Sequence, residues 1–155
     1  MSDRVVHHST FTIERTYDAS PARVWKAWSQ PEAKALWFGG GDDWRSLVAE
    51  MDFRVGGTER ARGEWRTSGT TTDFVCRYLD IVPEQRLIYS YDMYVNDQKL
   101  SVSLATIELF ADGARTKLVL TEQGAYLDGG ADDAGNRERG TAELMDALGA
   151  SLTGA

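Results

Sequence analysis

The chain has 155 residues and a formal net charge of −7, with acidic and basic residues interspersed rather than blocked. That length suits one domain, which buries about 70 % of the surface its unfolded chain exposes, and the charge pattern leaves no electrostatic footprint for DNA or RNA. Cys76 is the only cysteine, which excludes an internal disulfide and any thiolate zinc cluster.

The first element is a strand over residues 8–17, where Phe11, Ile13 and Tyr17 alternate with Thr10, Thr12, Glu14 and Thr16. Ser20 as N-cap and Pro21 as first helical residue then predict a short helix to about Trp28 that presents Val24, Trp25 and Trp28. A second short helix follows, capped by Ser29 or Gln30, carrying Leu36, Trp37 and Phe38 and ended by Gly39, Gly40 and Gly41. Residues 44–53 return to alternation, with Leu47, Ala49, Met51 and Phe53 on one face. Gly56 and Gly57 turn the chain into residues 58–66, where Thr58, Arg60, Arg62, Glu64 and Arg66 take the solvent face. That phase forces Glu59 inward beside Ala61, Gly63 and Trp65.

Residues 71–82 place Phe74, Cys76 and Tyr78 on one face before Pro83 and Glu84 turn the chain, and the cysteine reads as filling. Leu87, Tyr89, Tyr91 and Met93 share the inner phase of the next strand, which Asn96 and Asp97 end as a hairpin. The strand over residues 100–110 is ambiguous in phase. Asp112 and Gly113 form a further hairpin leading into residues 116–123, where Leu118, Leu120 and Glu122 oppose Lys117, Val119 and Thr121. Lys117 belongs in water, so Glu122 faces inward. Residues 124–131 read as a glycine-rich loop plugged by Tyr126 and Leu127.

The long helix over residues 132–152 closes the chain. Leu144, Leu148 and Leu152, with Met145 beside them, make an apolar stripe that Thr141 and Arg137 extend toward the N-terminus. Asp132 and Asp133 suit the positive end of its dipole, whereas Gly135 and Gly140 each weaken it by about 1 kcal/mol relative to alanine. Strand, two short helices, six strands and a long helix, joined by short turns, predict an α+β fold in which one helix covers an antiparallel sheet. No stretch approaches the ~20 apolar residues of a membrane span, and the N-terminus lacks the apolar run of a signal peptide, so a cytoplasmic protein is expected.

The segments Tyr17-Asp18-Ala19-Ser20-Pro21, Val24-Trp25-Lys26-Ala27-Trp28, Pro31-Glu32, Trp37-Phe38 and Arg54-Val55-Gly56-Gly57 resemble the domain named after the activator of Hsp90 ATPase. Residues 78–87 and 116–120 continue the match in order, so it covers nearly the whole chain. The resemblance implies the helix-grip fold of the START and Bet v 1 superfamily, a seven-stranded antiparallel sheet around a long C-terminal helix with a cavity between them. Two departures imply a more polar or roomier cavity. Gly140-Thr141 stands where many members have Gly-Trp, and Thr58-Glu59 displaces an aromatic after Gly57. The resemblance is to this domain alone, with no room for the eukaryotic activator's second domain, so Hsp90 stimulation transfers poorly.

Two inward carboxylates, Glu59 and Glu122, beneath a helix offering Arg137 make a polar end to an otherwise aromatic cavity. The alternatives are a structural Glu122–Arg137 ion pair, or a β-bulge that returns one glutamate to water. Tyr78, Tyr89 and Tyr91 supply hydroxyl groups, while Trp65 and Phe74, with Trp44, Met51 and Phe53, supply wall. Thr141 and Met145 complete the candidate ligand-binding set. Adjacent His7 and His8 point to opposite faces of a strand, so no metal site and no cofactor are proposed. The leading function is binding of a hydrophobic, ring-containing small molecule without transforming it. The runner-up is an enzyme of the polyketide cyclase or dehydratase type, with Glu59 or Glu122 as base and a tyrosine as acid. A third reading is a chaperone-interaction module acting through its outer surface. An edge strand or the Trp37-Phe38 corner offers a surface for a homodimer.

Overall fold

The computed structural model describes residues 4–128 and 131–153, with side chains 131–133 excepted. The predicted dipole contribution of Asp132 and Asp133 therefore lies outside the described residues. Seven strands form one antiparallel sheet in the order β1-β7-β6-β5-β4-β3-β2. They are β1 (Val6–Tyr17), β2 (Trp44–Met51), β3 (Thr58–Trp65), β4 (Thr71–Val82), β5 (Arg86–Val95), β6 (Gln98–Asp112) and β7 (Arg115–Leu127). Two short helices, α1 (Pro21–Ser29) and α2 (Pro31–Ala35), with a 3-10 turn (Gly41–Asp43), separate β1 from β2, and α3 (Ala131–Thr153) crosses the inner face. This is the helix-grip architecture.

The turns explain the order. Asn96 and Asp97 both take positive φ, 49° and 66°, the pattern of a two-residue hairpin that matches strand twist. Ser20 accepts from Arg23 N–H as the α1 cap, with Pro21 in the first turn. α2 spans a single turn and ends at Ala35, so Leu36 falls outside it and is 72 % exposed, while Trp37 and Phe38 turn inward. Trp37 is thereby buried and Phe38 partly so, which leaves Leu36 as the exposed apolar side chain of this corner.

Strict alternation fails in β2. A bulge between Ser46 and Val48 leaves Leu47 without a register partner and exposed, and the extra residue brings both Trp44 and Met51 to the inner face despite their odd spacing. The expected loop from residue 124 is also corrected, because β7 runs on to Leu127. The segment from Gly124 to Leu127 is strand, paired with both β1 and β6, and Tyr126 is buried as a strand residue rather than as a loop plug. The phase left open in β6 resolves with Ser101, Ser103, Ala105, Ile107 and Leu109 inward.

The terminal helix is held by its apolar stripe. Met145 and Leu148 are fully buried, each contributing about 1.5–3 kcal/mol relative to exposure. The Tyr17 hydroxyl donates to the Met145 carbonyl at 2.8 Å, and Arg23 donates to the Leu152 carbonyl at 3.0 Å, satisfying an otherwise open acceptor of the last turn. A Cβ on Gly149 would meet the Tyr17 ring at 2.9 Å, so glycine permits this close seating.

Candidate functional site

Between the inner sheet face and α3 lies a cavity of about 580 Å³, within the range of small-molecule sites. Phe74, Tyr89 and Tyr91 form its floor, with Phe74 and Tyr91 ring centroids 4.9 Å apart. Trp28 of α1, with Trp37 and Phe38 from the segment after α2, closes one side, and Trp44 and Trp65 stand at the β2–β3 end. Arg137, Thr141 and Met145, each one turn after the last on α3, form part of the roof.

Strand register decides which polar groups meet. Glu122 pairs with Ala105, Ala105 with Tyr89, and Tyr91 with Ser103, so the Tyr91 hydroxyl sits diagonally from Glu122 and donates to its Oε2 at 2.8 Å. Arg137 reaches down from α3. Its Nη1 donates to the Tyr91 hydroxyl at 2.8 Å and its Nη2 to the Ser101 hydroxyl at 2.8 Å, with Ser103 at 3.5 Å. Nη1 lies 3.6 Å from Glu122 Oε2, and the guanidinium packs on the Tyr91 and Tyr126 rings, 5.4 Å from each centroid. Burial pushes the Glu122 carboxyl above its ordinary value, and the Arg137 charge pulls it partway back. Burial is also the main reason the Tyr89 and Tyr91 hydroxyls stay protonated well above the usual phenol range.

Glu59 does not join this cluster. Glu59 and Glu122 lie on β3 and β7, four strand steps apart in the sheet order, or about 19 Å at ~4.8 Å per step. Lys34 of α2 donates to Glu59 Oε1 at 2.6 Å, and the Tyr78 hydroxyl donates to the same oxygen. The Lys34 ammonium also lies 4.5 Å from the centre of the Phe38 ring. Neither Glu59 nor Tyr78 lines the cavity. The other eight expected site residues do: Trp65, Phe74, Tyr89, Tyr91, Glu122 and, on α3, Arg137, Thr141 and Met145.

Sequence reasoning missed three contributors. Ser101 and Ser103 could have been found by counting back in twos from Leu109, Ile107 and Ala105. Lys34 carried no such signal, since a lysine on a one-turn helix reads as solvent-facing. Among the described residues, no group of three or more His, Cys, Asp or Glu side chains is placed to hold a metal ion, and no helix is long and apolar enough to cross a membrane.

The model of one protein family, described as Activator of Hsp90 ATPase homolog 1-like protein, matches residues 18–153. The chain belongs to this family. Its membership places it in the START and Bet v 1-like superfamily, in keeping with the sheet order and the terminal helix. An uncharacterised protein from Rhizobium leguminosarum, solved by others, is 42 % identical with a TM-score of 0.93, the match covering 99 % of this chain and 100 % of that one. A protein from Rhizobium loti is 44 % identical over 95 % of this chain and 99 % of that one, with a TM-score of 0.86. An AHSA1-like protein from Aeromonas hydrophila, at 17 % identity and a TM-score of 0.70 over 94 % and 93 % of the two chains, shares the fold. No curated protein matches the chain.

Proposed function

We propose that this family member binds a hydrophobic, ring-containing small molecule between sheet and terminal helix. The observation that carries the reading is the cavity of about 580 Å³, walled by aromatic side chains and bearing one compact polar end at Glu122, Tyr91 and Arg137. Cavities of this kind bury an apolar body and orient it through a few placed polar groups. Native mass spectrometry of the purified protein followed by organic extraction tests it. The expected result is a one-to-one adduct with a ring compound, and a mass that stays bare after incubation with planar ring compounds contradicts it.

A second reading draws on Glu122. Its carboxyl is raised by burial and hydrogen-bonded to a tyrosine hydroxyl inside the cavity, an arrangement suited to a general base paired with an acid. In this reading the protein is a polyketide cyclase- or dehydratase-like enzyme, with Glu122 and Tyr91 as the pair and Glu59, which the cavity does not reach, outside the chemistry. Turnover of a polyketide-like substrate that Glu122→Gln abolishes while its binding persists supports it. Unchanged ligand mass after long incubation opposes it.

A further inference from the structure

Among the described residues, buried Glu122 and half-buried Arg137 are charged side chains lining the cavity, of opposite sign at 3.6 Å. Glu143 also lines it but is solvent-exposed on α3. A ligand carboxylate entering the polar end meets Glu122, and a ligand ammonium meets Arg137. Either ion meets a like charge beside its counter-charge, so the pair offers no net charge in exchange for the hydration it loses. Three of the five Arg137 N–H donors are already given to Tyr91, Ser101 and Ser103.

What is left uncommitted in the wall is of another kind. Among the described residues the Tyr89 hydroxyl, the Thr141 hydroxyl and Glu122 Oε1 make no hydrogen bond, and unlike the enclosed Trp28 Nε1 they stay open to the cavity that their side chains line, in residues only 6 %, 8 % and 3 % exposed. Buried polar groups take partners where they can. A carboxylate oxygen accepts only, whereas tyrosine and threonine hydroxyls both give and accept. A ligand hydroxyl suits such a set, donating to Glu122 Oε1 and accepting from Tyr89 or Thr141.

Resting on the binding function above, we propose that the ligand is an uncharged ring compound bearing a hydroxyl, recognised by Tyr89, Thr141 and the free oxygen of Glu122. The Glu122–Arg137 pair sets the field of the site and excludes ions rather than attracting one.

A matched naphthalene series tests this on the full chain by titration calorimetry at neutral pH: 2-naphthol, naphthalene, 2-naphthoate and 2-naphthylmethylammonium. The expected order places 2-naphthol tightest by about tenfold, the upper range for a neutral hydrogen bond. Tyr89→Phe and Thr141→Val each lower 2-naphthol affinity about two- to tenfold and leave naphthalene affinity unchanged. Naphthalene binding doubles as the check that each variant is folded. Tighter binding of the carboxylate or the ammonium overturns the proposal while leaving the binding function standing, as does 2-naphthol binding no better than naphthalene. Failure of all four to saturate wild-type protein overturns both.

Discussion

Lys34 Nζ lies 2.6 Å from Glu59 Oε1, and both side chains are buried, 6 % exposed each. This contact ties the one-turn helix α2 to β3, and the Tyr78 hydroxyl donates to the same carboxylate. Removing one partner strands a charge in the core. Lys34→Met and Glu59→Leu should therefore each destabilise the fold by about 3–5 kcal/mol, while the two combined recover most of the loss. Urea unfolding of the two single variants and the double variant checks this, and additive losses would show that the pair is not coupled. Because Glu59 lies outside the cavity, the ligand affinity of molecules that remain folded should not change.

Glu122 gives a pH signature of definite sign. Its folded carboxyl is raised above the ordinary value of 4.5, so the folded state keeps its proton to higher pH than the unfolded chain does. Below 4.5 both states are protonated. As pH rises past that value the unfolded chain ionises first, and this group's contribution to stability falls until the folded carboxyl also ionises. Glu122→Gln removes that fall. The stability of the variant relative to wild type should climb with pH across this window and then level off. Denaturant midpoints measured from about pH 4 to about pH 8 test the sign, and a flat or falling difference contradicts it.

How far these two glutamates could be read from sequence shows where the limit lies. Period-two alternation placed both inward, because Thr58, Arg60 and Arg62 take the face opposite Glu59 and Lys117 takes the face opposite Glu122. The same rule located the inner phase of β5 and the stripe of α3. It could not see that four strand steps separate the glutamates, because lateral position depends on strand order, a property of the whole sheet. The bulge at Leu47 and the extension of β7 through Gly124 also escaped it. In both, the local chemistry is unremarkable, and the decision is made by pairing with distant strands.

Two glycines should respond to alanine with opposite signs. A Cβ on Gly63 would meet Trp44 Cζ2 at 2.1 Å, so Gly63→Ala must displace the indole from the cavity wall, costing about 1–3 kcal/mol and altering tryptophan emission. Around Gly140, on α3, a Cβ meets nothing within 4 Å, so Gly140→Ala should stabilise by about 1 kcal/mol through helix propensity. Thermal unfolding with fluorescence and circular dichroism reads both changes. Equal signs would contradict the packing described.

Cys76 is 2 % exposed, and burial pushes its thiol up to about 12. The native protein should not react with a disulfide reagent at about pH 8, since the thiolate is the reactive form, and should label fully once denaturant unfolds it. Rapid labelling under native conditions would mean that β4 opens locally.

The central claim is that the space between sheet and helix is where a ligand goes, and Thr141 offers the most direct access to it. This residue lines the cavity and is 8 % exposed, so Thr141→Trp fills the space from the α3 side. The measurement is titration of 2-naphthol into wild type and into Thr141→Trp, with circular dichroism confirming the fold. One-to-one binding by wild type and none by the variant is the predicted result. Equal binding by both would place the ligand elsewhere and contradict the account.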